Sequence, residues 1–219
     1  MEAKTDTYST KLVEHCRLSK KSFEIRLKKP PLFSFKPGQR ICLIYSTVER
    51  DYSLVSTPAD NDLILCIRNV EEGMLSPLLS TIATGTRLEF TGPHGYFTFQ
   101  PSPRPAIFVA TGTGIAPFCS IVSSGVTDIT LLHGVTLADD LYYADFLRSS
   151  VKRYVPCLSD PDESSVDYFS GRVTEYLQKH LAPGAYDFYL CGRSEMIRDA
   201  TLLIDEKFPG SFIYTEQYF

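Results

Sequence analysis

The chain has 219 residues, 43% of them hydrophobic, which suits one large or two small domains with a real core. Its 22 basic and 26 acidic residues leave a formal charge of -4, and clusters as short as Lys20-Lys21 form no broad basic footprint, which excludes nucleic acid as a partner. The N-terminus lacks a basic segment followed by an apolar one, and no run of about 18 apolar residues occurs, so neither export nor membrane insertion is indicated and a cytoplasmic location is expected.

From the N-terminus to about Gln100 the sequence runs in short apolar or alternating stretches broken by turn residues: "KSFEIRLKKP", "GQRICLIYS", "DYSLVST", "DLILCIRNV" and "TRLEFTGP". That rhythm predicts an antiparallel barrel or sandwich. The stretch "FQPSPRPA" has linker composition and sets a boundary near Pro103, hence domains 1–102 and 103–219. Beyond it the runs "AIFVA", "DITLLHG", "KRYVPCLS" and "YDFYLCG" alternate with helix-like segments near 115–124, 139–149, 171–180 and 194–207, which predicts a parallel α/β sheet. The expected fold class is a two-domain β plus α/β protein, an antiparallel β-barrel first and a parallel-sheet domain second.

The six cysteines (Cys16, Cys42, Cys66, Cys119, Cys157 and Cys191) show neither C-x-x-C nor ferredoxin-type spacing, so no metal or iron-sulfur site is expected. A chain this long with a large core needs no disulfide framework, and most of these residues read as small buried hydrophobes.

Two stretches carry chemistry. "AIFVATGTGIAPF" runs a strand into Gly112 and Gly114 and then a helix start; glycines let the backbone approach a phosphate, and helix N-terminal N–H groups attract its charge. The pattern is G-x-G-x-x-P with no acidic residue closing the next strand, so taken alone it is equally an ordinary strand-to-helix turn. Pro117 fits a helix's first turn, where its missing N–H costs nothing. In "RDYSLVSTP", Arg50 offers a phosphate partner, Tyr52 a flat ring for stacking and Ser53 a short hydroxyl donor. Strand alternation puts Arg50 and Tyr52 on one side and Asp51 and Ser53 on the other unless the strand bulges. Alone, this too reads as a strand with an exposed ion pair and a core tyrosine.

Together these stretches resemble the ferredoxin–NADP reductase family, with motifs in the family's order along nearly the whole chain: "FKPGQ" at 35–39, "RDYS" at 50–53, "LCIR" at 65–68, "GMLS" at 73–76, "GPHGYF" at 92–97, "GTGIAP" at 112–117, "LCGRSEM" at 190–196 and the terminal "TEQYF". The resemblance is strongest to compact bacterial ferredoxin or flavodoxin reductases and to oxygenase reductase modules. It implies a flavoprotein oxidoreductase that transfers a hydride between NADH or NADPH and FAD, then passes electrons singly to a ferredoxin, flavodoxin or another one-electron carrier. The lack of an iron-sulfur cysteine set makes that carrier a separate molecule. The alternatives are the reductase of an oxygenase or cytochrome b5-like haem system, and a flavin-binding electron-transfer subunit without nicotinamide activity of its own. A monomer is expected.

The resemblance also assigns residues. Arg50 pairs with the FAD pyrophosphate, Tyr52 stacks on the isoalloxazine, Ser53 hydrogen-bonds near its reactive nitrogen, and Leu54 follows them along the flavin. Cys66, Ile67 and Arg68 lie beside the flavin nucleotide. Gly73, Met74, Leu75 and Ser76 meet the pyrophosphate at a second helix N-terminus, although Ser76 before Pro77 is also good local capping chemistry. Gly112, Thr113, Gly114, Ile115 and Pro117 hold the nicotinamide nucleotide's phosphates, and Cys191 and Gly192 stand beside the nicotinamide. Met196 closes that motif, though the apolar residues of its amphipathic helix go to the core. Ser159, Asp160 and Arg172 reach the ribose. Asp160 stands where family members preferring NADPH carry an arginine, which favours NADH; Arg172 and Arg193 pull the other way. Glu216 relays a proton through Ser53, and Phe219 lies on the flavin face opposite Tyr52 until the nicotinamide displaces it. The other reading of the terminus is a last strand tucking Tyr218 and Phe219 into the core.

Overall fold

Alternation shapes several strands in the first half of the chain. In β3 (Arg40–Tyr45) Ile41 and Leu43 are fully buried while their neighbours face outward, as period-2 strands with one covered face require. Part of β1 (Thr7–Arg17) and the start of β6 (Arg87–His94) alternate likewise, whereas β2 (Ser22–Lys28) buries Ser22 to Ile25 and β5 (Asp62–Arg68) buries Leu65 to Ile67 in succession, and β4 (Val48–Ser53) is exposed from Glu49 to Asp51. These six strands pair antiparallel in the order β4-β3-β6-β1-β2-β5. The open ends meet through an antiparallel bridge between Leu54 and Leu65, reinforced by the Val55 N–H donating to the Ile64 carbonyl at 2.9 Å. That bridge closes the sheet into a barrel around Leu12, Ile25, Leu27, Leu54, Leu63 and Phe90. A single short helix, α1 (Ser76–Thr81), lies between β5 and β6.

The computed structural model describes residues 7–160 and 167–218 and divides into two compact units, residues 1–99 and 100–219. In the second unit the period changes. Ala106 to Ala110 of β7 (Ala106–Thr111) are all buried, as befits a parallel strand covered on both faces. The remaining elements are α2 (Ala116–Ser123), β8 (Ile129–Val135), α3 (Ala144–Ser150), β9 (Arg153–Leu158), β10 (Phe169–Ser170), α4 (Val173–His180), β11 (Asp187–Arg193), α5 (Ser194–Lys207) and β12 (Phe212–Tyr218). Every pairing is parallel, in the order β10-β9-β8-β7-β11-β12. Buried Met196, Ile197, Ala200 and Ile204 form the core-facing stripe of α5. The helix expected from 115 begins as a 3-10 turn over Gly112–Ile115, and the one expected from 139 is split into a 3-10 turn at Ala138–Asp140 and α3.

From β7 the chain steps outward through β8, β9 and β10, then returns to add β11 and β12 on the other side of β7. The reversal falls between β7 and β11, and ligands of such sheets bind outside the strands' carboxyl ends there.

At the opposite end of the same two strands, the proline-rich segment is fastened to the second unit. Asp187, 2% exposed, receives the Ser102 hydroxyl and the Arg104 Nε at 2.6 Å, and the Arg104 guanidinium lies 4.2 Å over the Phe212 ring. Asp187→Ala would strand these donors and should lower stability by about 2–3 kcal/mol in urea unfolding, with Asp187→Asn milder. Equal midpoints for wild type and Asp187→Ala would refute this.

Candidate functional site

In the first unit the motif Arg50 to Ser53 sits on β4 in regular register with β3, Arg40 opposite Ser53 and Leu43 opposite Arg50, so no bulge disturbs the alternation. Arg50 is exposed, and its Nη1 donates to the carbonyl of Glu49 at 2.7 Å. Asp51, on the other face, pairs with Arg40 at 2.9 Å. Tyr52 is half-buried against the barrel core, and burial pushes its phenol up to about 12, so it stays neutral. Ser53 is 3% exposed, and its hydroxyl meets no partner within the described protein. A buried polar group left unpaired is costly, so such a hydroxyl points to something that binds it.

Leu54, Ile67 and Leu75 belong to the core cluster, and Cys66 is buried too, so these four offer a ligand main chain rather than side chain. Arg68 and Met74 are exposed. The Gly73 N–H donates to the Val70 carbonyl at 2.8 Å, and a Cβ on Gly73 would stand 2.9 Å from that oxygen, so the turn closes only on glycine. Ser76 does not cap α1. It is the first helical residue after Leu75, and its hydroxyl accepts the Val70 N–H at 3.0 Å. With that oxygen committed and only six residues in α1, the expected helix-terminus site weakens to the turn's own N–H groups.

In the second unit, the turn after β7 and the end of β11 interlock. Gly112 takes φ +53°, and a Cβ there would meet nothing within 4 Å, so the glycine leaves space above the turn. Gly114 is different: a Cβ would overlap the Cys191 carbonyl and stand 2.8 Å from the Gly192 Cα. Gly192, at φ +135°, presses in turn on Thr111, whose hydroxyl accepts the Arg193 N–H at 3.0 Å. Thr113 is half-buried, while Ile115 and Pro117 are buried under the turn. Cys191 is fully buried; burial drives its thiol well above the ordinary range, the neighbouring negative charge of Glu216 adds to this, and a hydrogen bond with Tyr218 opposes it. The thiol is therefore neutral. Glu216 lies directly opposite Cys191 in the β11–β12 register.

Beneath the turn, His133 of β8 is buried between the Tyr154 hydroxyl, 3.0 Å from Nδ1, and the Gly112 carbonyl, 3.2 Å from Nε2. Thr111, His133 and Tyr154 were not among the site residues read from the sequence. The one available signal is a histidine directly after two leucines in the strand-like run "ITLLHG".

Ser159 and Asp160 are exposed just past β9, their N–H groups donating to Val135 and Thr136 carbonyls at 3.1 Å each. Pairing of Leu158 with Ser170 brings Arg172, two residues past β10, to the same sheet edge. The Glu175 carboxylate takes the Arg172 N–H at 3.2 Å and the Lys179 ammonium at 3.1 Å, and these hold it below the usual carboxylate range. Met196 is packed in the core of the second unit, which agrees with its place on an amphipathic helix and leaves its side chain no free face for a cofactor. Phe219 lies outside the described residues. Among the described residues no helix is long and apolar enough to cross a membrane, and no group of His, Cys, Asp and Glu could hold a metal ion.

A closed antiparallel barrel with an unpaired buried hydroxyl is followed by a parallel sheet whose glycine turn and strand end lock at the order reversal, where ligands of such sheets bind. Residues 9–99 match the oxidoreductase FAD-binding domain and residues 108–201 the oxidoreductase NAD-binding domain. The chain is 32% identical to ferredoxin–NADP reductase B of Sorangium cellulosum, over 85% of this chain and 86% of that protein. It is 31% identical to the toluate 1,2-dioxygenase electron transfer component of Pseudomonas putida, over 90% of this chain and 64% of that protein. The fold matches that of a ferredoxin NADP+ reductase from Neisseria gonorrhoeae, crystallised with FAD and NADP, with a TM-score of 0.83, 23% identity and all of both chains covered. The chain belongs to the ferredoxin–NADP reductase family. It spans 64% and 56% of the first two curated relatives it matches.

Proposed function

We propose that this protein transfers a hydride between NAD(P)H and FAD and hands electrons singly to a separate carrier such as a ferredoxin or flavodoxin. The observation that carries this reading is the lock between the Gly112–Ile115 turn and the Cys191–Gly192 strand end at the switch of the parallel sheet. FAD supplies the hydride and single-electron chemistry when bound; the protein binds, orients and shields.

In this reading Arg50 pairs with the flavin pyrophosphate together with the N–H groups from Met74 to Ser76, which the Gly73 turn holds in place, and neutral Tyr52 lies against the ring system. The unpaired Ser53 hydroxyl finds its partner on the flavin. Main chain from Leu54 and from Cys66 to Arg68 lines the nucleotide. Gly112 to Gly114 present N–H groups and open space to the nicotinamide nucleotide's phosphates, with Ile115 and Pro117 packed beneath the turn, and Cys191 sets a neutral thiol and Gly192 a side-chain-free backbone beside its ring. Glu216 supplies a carboxylate one strand away.

Asp160 and Ser159 stand at the same sheet edge as Arg172. The exposed carboxylate disfavours a 2'-phosphate and accepts from a ribose diol. Stopped-flow reduction of the bound flavin should therefore be more than about tenfold faster with NADH than with NADPH, roughly 1.4 kcal/mol of discrimination. Equal or reversed rates would sink the NADH assignment, and protein that binds no FAD would sink the whole reading.

A second reading rests on the similarity to the toluate dioxygenase electron transfer component, named above: the protein is the reductase of an oxygenase system. Assays with reduced nucleotide and a ferredoxin, a flavodoxin, an oxygenase component or a cytochrome b5-like protein as acceptor separate the two. The reading takes the protein as a cytoplasmic monomer, which sedimentation and cell fractionation check.

A further inference from the structure

A histidine in the middle of a covered parallel strand is expensive unless both ring nitrogens are paired, and those of His133 are, to groups on two different neighbours of β8. The Gly112 carbonyl, in the turn just past β7, can only accept, so Nε2 carries the proton and donates. Nδ1 is then the acceptor, and the Tyr154 hydroxyl on β9 donates to it. Burial keeps that phenol protonated by driving its pKa upward. The result is a one-way chain of two hydrogen bonds, Tyr154 to His133 to Gly112, crossing three strands.

The chain ends on a residue of the nucleotide turn. Carbonyl and N–H of a trans peptide point in opposite directions within one plane, so pinning the Gly112 oxygen inward aims the Thr113 N–H outward. A Cβ on Gly112 would meet nothing within 4 Å, so the turn leaves open space at that residue. Thr113 is the second residue of the Gly112–Ile115 turn, and its N–H is one of those that the proposed function gives to the nucleotide.

We propose that His133, set in its Nε2–H tautomer by Tyr154, is a positioning residue for the nicotinamide nucleotide: it fixes the Gly112–Thr113 peptide so that the Thr113 N–H meets the nucleotide's diphosphate. The proposal rests on the reading that this turn holds the nucleotide. It contacts no reacting atom, so its loss falls on binding and KM rather than on the hydride step.

The test uses the FAD-loaded full chain, titrated with NAD+ and with NADP+ and followed by the flavin difference spectrum. His133→Leu, which removes the donor, should weaken the preferred nucleotide about tenfold, about 1.4 kcal/mol. His133→Gln, whose amide N–H can reach the Gly112 oxygen, should stay within about threefold of wild type, and Tyr154→Phe should lose about threefold. Hydrogen exchange should show faster exchange from Thr113 to Ala116 in His133→Leu without nucleotide. The proposal is overturned if His133→Leu binds as tightly as wild type, if His133→Gln loses as much as leucine, or if KM is unmoved while thermal stability falls. Should His133→Leu not fold, unchanged binding in Tyr154→Phe overturns it alone. Wild type that binds FAD but neither nucleotide would mean that the functional reading has failed, and this inference with it.

Discussion

Gly192→Ala is expected to abolish nicotinamide-nucleotide binding and to lower the stability of the second unit by about 3 kcal/mol or more, while FAD content stays near wild type. Gly192 sits at φ +135°, where an L side chain is strained before any neighbour is considered. An added Cβ would then overlap the Thr111 hydroxyl and lie 3.0 Å from the Thr111 carbonyl oxygen and 3.1 Å from its nitrogen. The hydroxyl could rotate away only by releasing the Arg193 N–H it accepts, and the backbone atoms cannot rotate at all. β11 would have to separate from β7 at the point where the Gly112 turn is seated. Thr111→Ala added to Gly192→Ala should recover only part of the loss, because the main-chain contacts and the positive φ remain. Gly112→Ala is the contrast: its Cβ would meet open space, so its stability cost should be about 1 kcal/mol, the strain of a left-handed alanine, while nucleotide binding still weakens. Urea unfolding, flavin absorbance and nucleotide titration of the three variants check this, and a Gly192→Ala protein that still binds nucleotide refutes it.

The contrast between these glycines shows what the sequence could and could not say. The barrel was legible because Ile41 and Leu43, or Leu63 and Leu65, alternate with polar or outward residues at a period that only a strand satisfies. The parallel sheet was legible because unbroken apolar runs such as Ala106 to Ala110 alternate with stretches such as Ser194–Lys207 of helical period. The glycines of G-T-G and of C-G were legible as a motif, but not the reason for each. Gly114 and Gly192 are required by each other's strands some eighty residues apart, a long-range packing fact with no local signature. The alternative reading of Ser76 as a cap fails for the opposite reason: its local chemistry is right for capping, and a turn six residues upstream claims the hydroxyl instead. The buried pairing of His133 needed the β7-β8-β9 order before its two partners could be named.

The same histidine makes the second unit sensitive to acid. Burial drives the His133 pKa from its ordinary 6.5 down to about 4, against the hydrogen bond to Gly112 and the nearby Asp140, which favour the charged ring. Tyr154 from β9 faces the ring; around Tyr154 lie Cys119 of α2, Cys157 of β9, and Asp145 and Arg148 of α3. The unfolded chain takes up the imidazole proton as pH falls past about 6.5, while the folded chain refuses it until about 4, so the unfolded state binds more protons throughout that window. Stability is therefore complete above the upper value and falls as the solution is acidified. The expected loss from this group is about 1 kcal/mol by pH ~5.5 and reaches about 3 kcal/mol near pH ~4, with little further loss at lower pH. Carboxylates add their own losses at the acid end, so the informative quantity is the difference from His133→Gln, which has no titrating ring. Urea midpoints by circular dichroism should converge for the two proteins as pH falls from about 7.5 to about 5.5, with nearly all of the slope in the wild type. Parallel curves would show that His133 charges as readily in the folded protein as in the unfolded one, and that its burial between Tyr154 and Gly112 does not hold the ring neutral.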